Sequence, residues 1–297
     1  MTKVSGFTFI KNGLTLGYPF KESVLSIAPL CDEVVINIGF EDEECTKDDG
    51  TYEYLTSTLK DTEKTKYIFL KSWWDPNKTK SGLILSEQTN IALEKITGDV
   101  GIYIQGDEAI HEKDYEEIQS AIKRLMSHPS ADAILFKYHH FFGSVDIEKV
   151  TKKTYRNELR VIRNHKGIKS WLDAQGFRYS DDTKIKCIKS EAEIYHYGWA
   201  RSEQVMDKKT KEFSKLYHGK DHKAEDFSYE RVWGLRAFHG THPAVMKEWI
   251  EENRNDIDIL SLPVKLSLKD SRIILSDFFE YLTGYRFGEY KNYRLVE

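Results

Sequence analysis

The chain reads as an α/β protein, a mixed sheet flanked by helices and followed by a helical C-terminal extension. Three observations predict this. From Met1 to about Phe142, short β-branched and aromatic runs alternate with segments of helical period, the pattern of a parallel sheet with helices on its faces. Between about 158 and 199 the apolar pieces are short and divided by polar turns, as in an antiparallel extension of a sheet. From Ser202 onward helical period dominates. We therefore expect residues 1–200 to form the sheet-bearing domain and 201–297 a helical extension packed on it.

The elements follow in order. "KVSGFTFI" (3–10) is a first strand, and Asn12 and Gly13 turn the chain toward "FKESVLSIAPL" (20–30), a helix broken at Pro29. "EVVINIG" (33–39) is a β-branched second strand bounded by Gly39, and "DDGTYEYLTSTLK" (48–60) starts a helix with Asp49 or Thr51 as N-cap. "KYIFLKSWW" (66–74) is a third strand, "SEQTNIALEKI" (86–96) a helix and "VGIYIQ" (100–105) a fourth strand. "HEKDYEEIQSAIKRLMSH" (111–128) is an amphipathic helix with Tyr115, Ile118, Ile122 and Leu125 near one face, and "DAILFKYHHFFG" (132–143) closes the series. "ELRVIRN", "IKSWLDA", "KIKCIK" and "AEIYHYGW" supply the antiparallel pieces. Helices are expected at about 202–218, at 243–253 with Pro243 near its first turn, and at 271–283 ending at Gly284.

Composition narrows the function classes. With 297 residues, 40% of them hydrophobic, the chain can bury a sizeable core, and 31% charged residues fit a soluble globular protein. A net charge of -4 gives no electrostatic reason to expect a nucleic-acid partner. Cys31, Cys45 and Cys187 lack the spacing of a disulfide framework or zinc knuckle, so a reducing compartment is expected. The N-terminus does not read as a secretion signal, and no run approaches the roughly 18 apolar residues of a membrane span. A cytoplasmic protein with at most peripheral membrane contact is the expectation.

The chemistry concentrates in "YIQGDEAI" (103–110), where an apolar strand ends on Gly106 and presents Asp107 and Glu108. Open α/β sheets bind ligands at the carboxyl ends of their strands. An Asp there, preceded by a Gly that lets a ligand approach the backbone, can hold a hard divalent cation against phosphates; alternatively, the acidic pair caps the following helix. His196, in "AEIYHYGWA", is a candidate ligand for the same ion, or a packed core histidine.

The order of these pieces resembles the family 2 type of glycosyltransferases with the GT-A fold, over roughly residues 3 to 200. "VSGFTFIKNG" is similar to the family's opening strand and Asn-containing loop, and "EVVINIG" with "DDGT" to its second strand and D-G-T turn. "SEQTNIALEKITGD" resembles the segment leading to the metal-binding strand. "QGDE" falls where the family carries D-x-D with a following acidic residue, and "YHYGW" where it places a late metal-binding His. Gln105 replaces the first Asp of D-x-D, keeping an acceptor oxygen without its charge.

The resemblance implies a metal-dependent, inverting transfer of a sugar from a nucleotide-sugar donor to a carbohydrate or lipid-linked acceptor. Asp107 and His196 would bind Mn²⁺ or Mg²⁺, supported by Glu108 and Trp199. Asp173, in "IKSWLDAQGFR", would be the base, with Glu158 and Asp146 as competitors. Phe9, Asn12, Gly39 and Asp49 would surround the donor's base and ribose, and Asn90, Gln105 and Gly106 complete the donor-binding set. Arg160 and Arg163 would reach phosphate. Trp171, Trp199, Tyr197 and Phe177 are either a platform for a sugar or ordinary core. Two rival readings remain open: a catalytically silent binding or scaffold protein, favoured by Gln105, and a sugar-nucleotide nucleotidyltransferase, for which the loop "FIKNGLTLG" is poor in basic residues.

Overall fold

A computed structural model of the chain describes residues 2–296 apart from 79–81, 152–153, 219–225, 256, 267, 287 and 290. Four parallel strands carry the N-terminal half: β1 (Val4–Ile10), β2 (Glu33–Phe40), β3 (Lys66–Trp73) and β4 (Val100–Tyr103), in the spatial order β3-β2-β1-β4. Phe7 of β1 sits opposite Val35 on one side and Tyr103 on the other. Between these strands run α1 (Gly13–Leu16), α2 (Phe20–Ile27), α3 (Thr51–Thr58) and α4 (Leu83–Leu93).

The sheet then turns mixed. Beyond the short β5 (Glu108–Ile110) and α5 (Tyr115–Ser127), β6 (Ala133–Phe142) and β7 (Ser144–Lys149) form a hairpin, and β8 (Asn157–Arg163) lies antiparallel between β4 and β6. The segments expected as separate antiparallel strands at 184–189 and 192–199 are instead one strand, β11 (Lys186–Trp199), parallel to β6. A register shift between Lys189 and Glu193 absorbs the polar "SEAE" that seemed to divide them. β5 adds antiparallel to β11, pairing Glu108 with His196. "IKSWLDA" does not join the main sheet: β9 (Ile168–Trp171) pairs only with β10 (Gly176–Tyr179), as a small separate hairpin.

The C-terminal third holds α6 (Glu203–His218), α7 (Lys247–Asn253) and α8 (Leu268–Thr283) close to the expected ranges, with Gly284 in the left-handed region (φ 70°) at the end of α8. It also returns two strands to the main sheet that the sequence did not suggest, β12 (Leu235–Ala237) against β7 and β13 (Arg294–Leu295) against β11.

Strand alternation divides the core between the two faces of the sheet. Val34, Ile36 and Ile102 join Val24, Ile27, Ile118 and Ile122 in one cluster, while Phe7, Val35 and Tyr103 join Ala92, Leu93, Leu159 and Phe177 in the other. Each fully buried Val, Leu, Ile or Phe contributes about 1.5–3 kcal/mol. These two layers fix the carboxyl ends of β1, β2 and β4 side by side, and the site is built there.

Candidate active site

Two residues that leave the end of β4 together part company. Glu108 turns into the interior, where its carboxylate and the Arg160 guanidinium are both fully buried. Arg160 Nη2 donates to Oε1 at 2.7 Å and Nε to Oε2 at 2.9 Å, a fork on a carboxylate. Tyr138 Oη adds a donor at 2.8 Å and the Gln105 backbone N–H another at 3.1 Å. Arg160 spends Nη1 on the carbonyls of Leu159 and Gln175, and its guanidinium lies over the Tyr103 and Tyr138 rings. It is therefore a structural clamp on Glu108, and the expectation that it reaches phosphate is corrected. Arg163 is corrected too: Nε and Nη2 donate to the carbonyls of Ala131, Leu125 and His128, closing the end of α5.

Asp107 points the other way, toward β11 and α6. Lys209 Nζ donates to Oδ2 at 3.1 Å and to the Gly198 carbonyl at 2.8 Å, and His196 Nε2 lies 3.6 Å from Oδ1. Burial pushes the Asp107 carboxyl up, but Lys209, His196 and Arg201 outweigh it and hold the group well below the usual carboxylate range. Arg201, almost fully buried, donates to the carbonyls of Leu16 and Gly198 and pins the end of α1 to the end of β11. Gly198 is what leaves room between the two candidate ligands, since a Cβ there would stand 2.6 Å from both Asp107 Oδ2 and His196 Nε2. Gly106 has a different purpose from the ligand approach expected of it: a Cβ would meet the Tyr18 ring at 2.4 Å, so its bareness serves packing.

The hydrogen bonds assign which ring donates between His140 and His196. Burial and the nearby His196 push His140 down to about 3, so its ring is neutral. Its Nε2 lies 2.7 Å from the Tyr155 carbonyl, which only accepts, so the proton is on Nε2 and Nδ1 accepts. His196 Nδ1, 3.1 Å from that Nδ1, is then the donor. With Nδ1 engaged as that donor, Nε2 is the nitrogen that faces Asp107, and it would offer a lone pair to a cation once its own proton is displaced. Asp107 and His196 thus bracket one point with an oxygen and a nitrogen, and Lys209 is the cation now on Asp107. Among the described residues no group of three or more His, Cys, Asp or Glu side chains is positioned to hold a metal ion.

The remaining expected residues fall into two groups. Trp199 is 38% exposed, stacked on Phe142, with Lys209 Nζ 5.9 Å from its ring centre. Phe9 packs on Trp74 at the end of β1, and a Cβ on Gly39 would touch Lys11 and Trp74. Asn12, left-handed at φ 53°, has a buried Oδ1 with no hydrogen-bond partner among the described residues, and Lys11 Nζ lies 3.6 Å from Glu41. Asp49 accepts from the Thr15 and Thr51 backbones and so ties α1 to α3. Asn90 exchanges hydrogen bonds with the Ser170 backbone and holds β9. Tyr197 and Phe177 are fully buried core, not platform, whereas Trp171 lines a cavity of about 460 Å³ with Asn90 and Leu172. A second cavity of about 510 Å³ lies by Lys113, His139 and Arg236; neither is lined by Asp107.

Asp173 occupies the β9–β10 turn between Leu172 and Ala174, both left-handed. Gln105 Nε2 donates to the Ala174 carbonyl at 3.1 Å and Arg160 to the Gln175 carbonyl, so the turn is tied to the end of β4 from two sides. Burial raises the Asp173 carboxyl. The competitors are less suited to proton abstraction. Asp146 forms a surface ion pair with Arg254. Glu158 is 4% exposed beneath Gly176 and Asn292, and its Oε2 has no hydrogen-bond partner among the described residues.

Glu158 gives a pH-dependent prediction. Burial, opposed by Arg160, pushes its carboxyl up to about 8 from an ordinary 4.5. The folded chain keeps this proton where the unfolded chain loses it, so the contribution to stability is full below pH 4.5 and is lost as pH rises through about 8. Glu158→Gln is expected to remove that slope and to exceed wild type in stability above this range. Urea unfolding from pH about 5 to about 9 checks it, and equal slopes in the two proteins would contradict the assignment.

No protein-family model matches the chain, and no curated protein matches it. Among solved structures it is similar to the mannosyltransferase PcManGT from Pyrobaculum calidifontis in complex with GDP-Man and Mn²⁺, at 17% identity and a TM-score of 0.32 over 45% of this chain and 34% of that one. It is similar to residues 1–349 of S. aureus TarS in complex with UDP-GlcNAc, at 17% identity and a TM-score of 0.35 over 55% of this chain and 45% of that one. The same TarS segment with UDP matches at 15% identity and a TM-score of 0.36 over 74% of this chain and 67% of that one. The chain therefore spans about a third to a half of the first two. At these TM-scores the likenesses carry no functional argument, which has to come from the residues themselves.

Proposed function

We propose that the chain is a glycosyltransferase of GT-A-like, family 2 type that moves a sugar from a nucleotide-sugar donor to a carbohydrate or lipid-linked acceptor. The observation that carries the reading is the cluster of Asp107, His196 and Lys209 beside the exposed Trp199, at the carboxyl end of β4. Phosphate oxygens call for a cation, which Lys209 supplies, and a sugar for an aromatic face, which Trp199 supplies. The Asn12 Oδ1, without a hydrogen-bond partner among the described residues, and the Lys11 ammonium paired with Glu41 are polar groups at the end of β1 available to a nucleoside.

In this reading the acceptor hydroxyl attacks the anomeric carbon as the bond to the diphosphate breaks. Asp173 takes the hydroxyl proton; its raised affinity for a proton suits a base. Lys209 turns from Asp107 to the leaving diphosphate and neutralises its charge. One base and one displacement give inversion. Residues Asp107 and His196 fit a divalent cation, Mn²⁺ or Mg²⁺, which when bound would add Lewis-acid stabilisation of the leaving group. The three thiols of Cys31, Cys45 and Cys187 are unpaired, in keeping with a cytoplasmic setting. A silent scaffold is the second reading, favoured because Gln105 is spent on the Ala174 carbonyl.

Lys209 makes the reading testable. The Lys209 ammonium repels a divalent ion placed on the same carboxylate, so Lys209→Met is expected to tighten Mn²⁺ binding by about tenfold or more, while Asp107→Asn abolishes it. Calorimetric titration of Mn²⁺ into each protein reads this directly. Equal Mn²⁺ affinity in wild type and Asp107→Asn would remove Asp107 from the metal.

A further inference from the structure

Helix α8 buries Asp270 and Ile273 against the molecule and presents a bare apolar stripe to the outside. Leu275, Phe278, Phe279 and Leu282 are 68%, 58%, 47% and 64% exposed, and Tyr281 and Tyr285 beside them 84% and 62%. The spacing 275, 278, 279, 282 is a single seam two helical turns long. The inward polar groups are already engaged: Asp277 accepts from Trp233 Nε1, and Glu280 pairs with Arg156 and Arg286.

The seam is a palindrome. Leu-x-x-Phe-Phe-x-x-Leu reads the same in both directions about a point between Phe278 and Phe279. A two-fold axis through that point, with the helices antiparallel, sets Leu275 against the partner's Leu282 and Phe278 against the partner's Phe279. Such self-complementarity is what an isologous interface requires. The acidic Asp277 and Glu280 stay on the inward side, so the axis brings no like charges together. The six exposed side chains offer roughly 700 Å² per protomer, comparable to the ~800 Å² per partner of a standard stable interface.

We propose that α8 is the two-fold interface between two copies of this chain. The inference does not depend on the donor-site reading. Sedimentation equilibrium of the full chain is expected to give a two-chain mass, and Phe278→Asp or Phe279→Asp to weaken the dimer by about 30-fold or more with the circular dichroism spectrum unchanged. In a Cys45→Ser background, mixing Phe278→Cys with Phe279→Cys is expected to give disulfide-linked pairs of the two variants in preference to pairs of either alone. A one-chain mass at every concentration, or a two-chain mass untouched by both substitutions, overturns the proposal. So does a monomeric chain that binds phosphatidylcholine–phosphatidylglycerol vesicles and loses that binding in Phe278→Asp, which would give the face to a lipid surface.

Discussion

Asp107→Ala is expected to lower sugar transfer by about 10²–10³-fold and to make nucleoside diphosphate binding insensitive to Mn²⁺. Asp107 is the group on which Lys209 and His196 converge, and its carboxyl is held charged well below the usual range. Removing it leaves His196 Nε2 without its carboxylate neighbour and Lys209 on the Gly198 carbonyl alone of its two named contacts. Asp173→Asn is expected to behave differently: donor binding is kept and transfer is lost, because a base acts on the acceptor and not on the diphosphate. Binding measured by calorimetry alongside transfer measured by nucleotide release separates the two. Loss of donor binding in Asp173→Asn, or full transfer in Asp107→Ala, would contradict these roles.

Arg160→Met is expected to cost about 3–5 kcal/mol of stability. It strands the Glu108 carboxylate in the interior with only the Tyr138 hydroxyl and one backbone N–H to hold its charge. Adding Glu108→Leu to that variant is expected to recover most of the loss, since an apolar pair avoids the stranded charge. Because Glu108 also holds the Gln105 backbone, the single variant should loosen the turn that presents Asp107. Urea unfolding reads the stability; a loss below about 1 kcal/mol would show that the pair is not the clamp described.

Much of the N-terminal half was legible because β-branched runs and helical periods are local signals. The 103–110 segment and His196 were legible as residue types at strand ends, and the structure brings Asp107 and His196 together across 89 positions of sequence. Their partner Lys209 was not legible: it stands in "DKKTK" on a polar helix, where neighbouring lysines look the same until the fold aims one of them inward. Arg160 carries a readable signal, and its meaning is structural. An arginine inside "ELRVIR", with apolar residues on both sides, calls for a buried carboxylate, and the fold supplies Glu108. Strand pairing was the least readable, because β11 crosses a polar break by a register shift and β12 and β13 are only three and two residues long.

The central claim is that the cluster at the end of β4 binds a nucleoside diphosphate. Calorimetric titration of UDP, GDP and dTDP into the wild-type chain, with and without Mn²⁺, tests it most directly. One nucleotide is expected to bind in preference to the other two, and more tightly with Mn²⁺. If none of the three binds under either condition, the cluster is not a donor site, and the glycosyltransferase reading gives way to that of a silent scaffold.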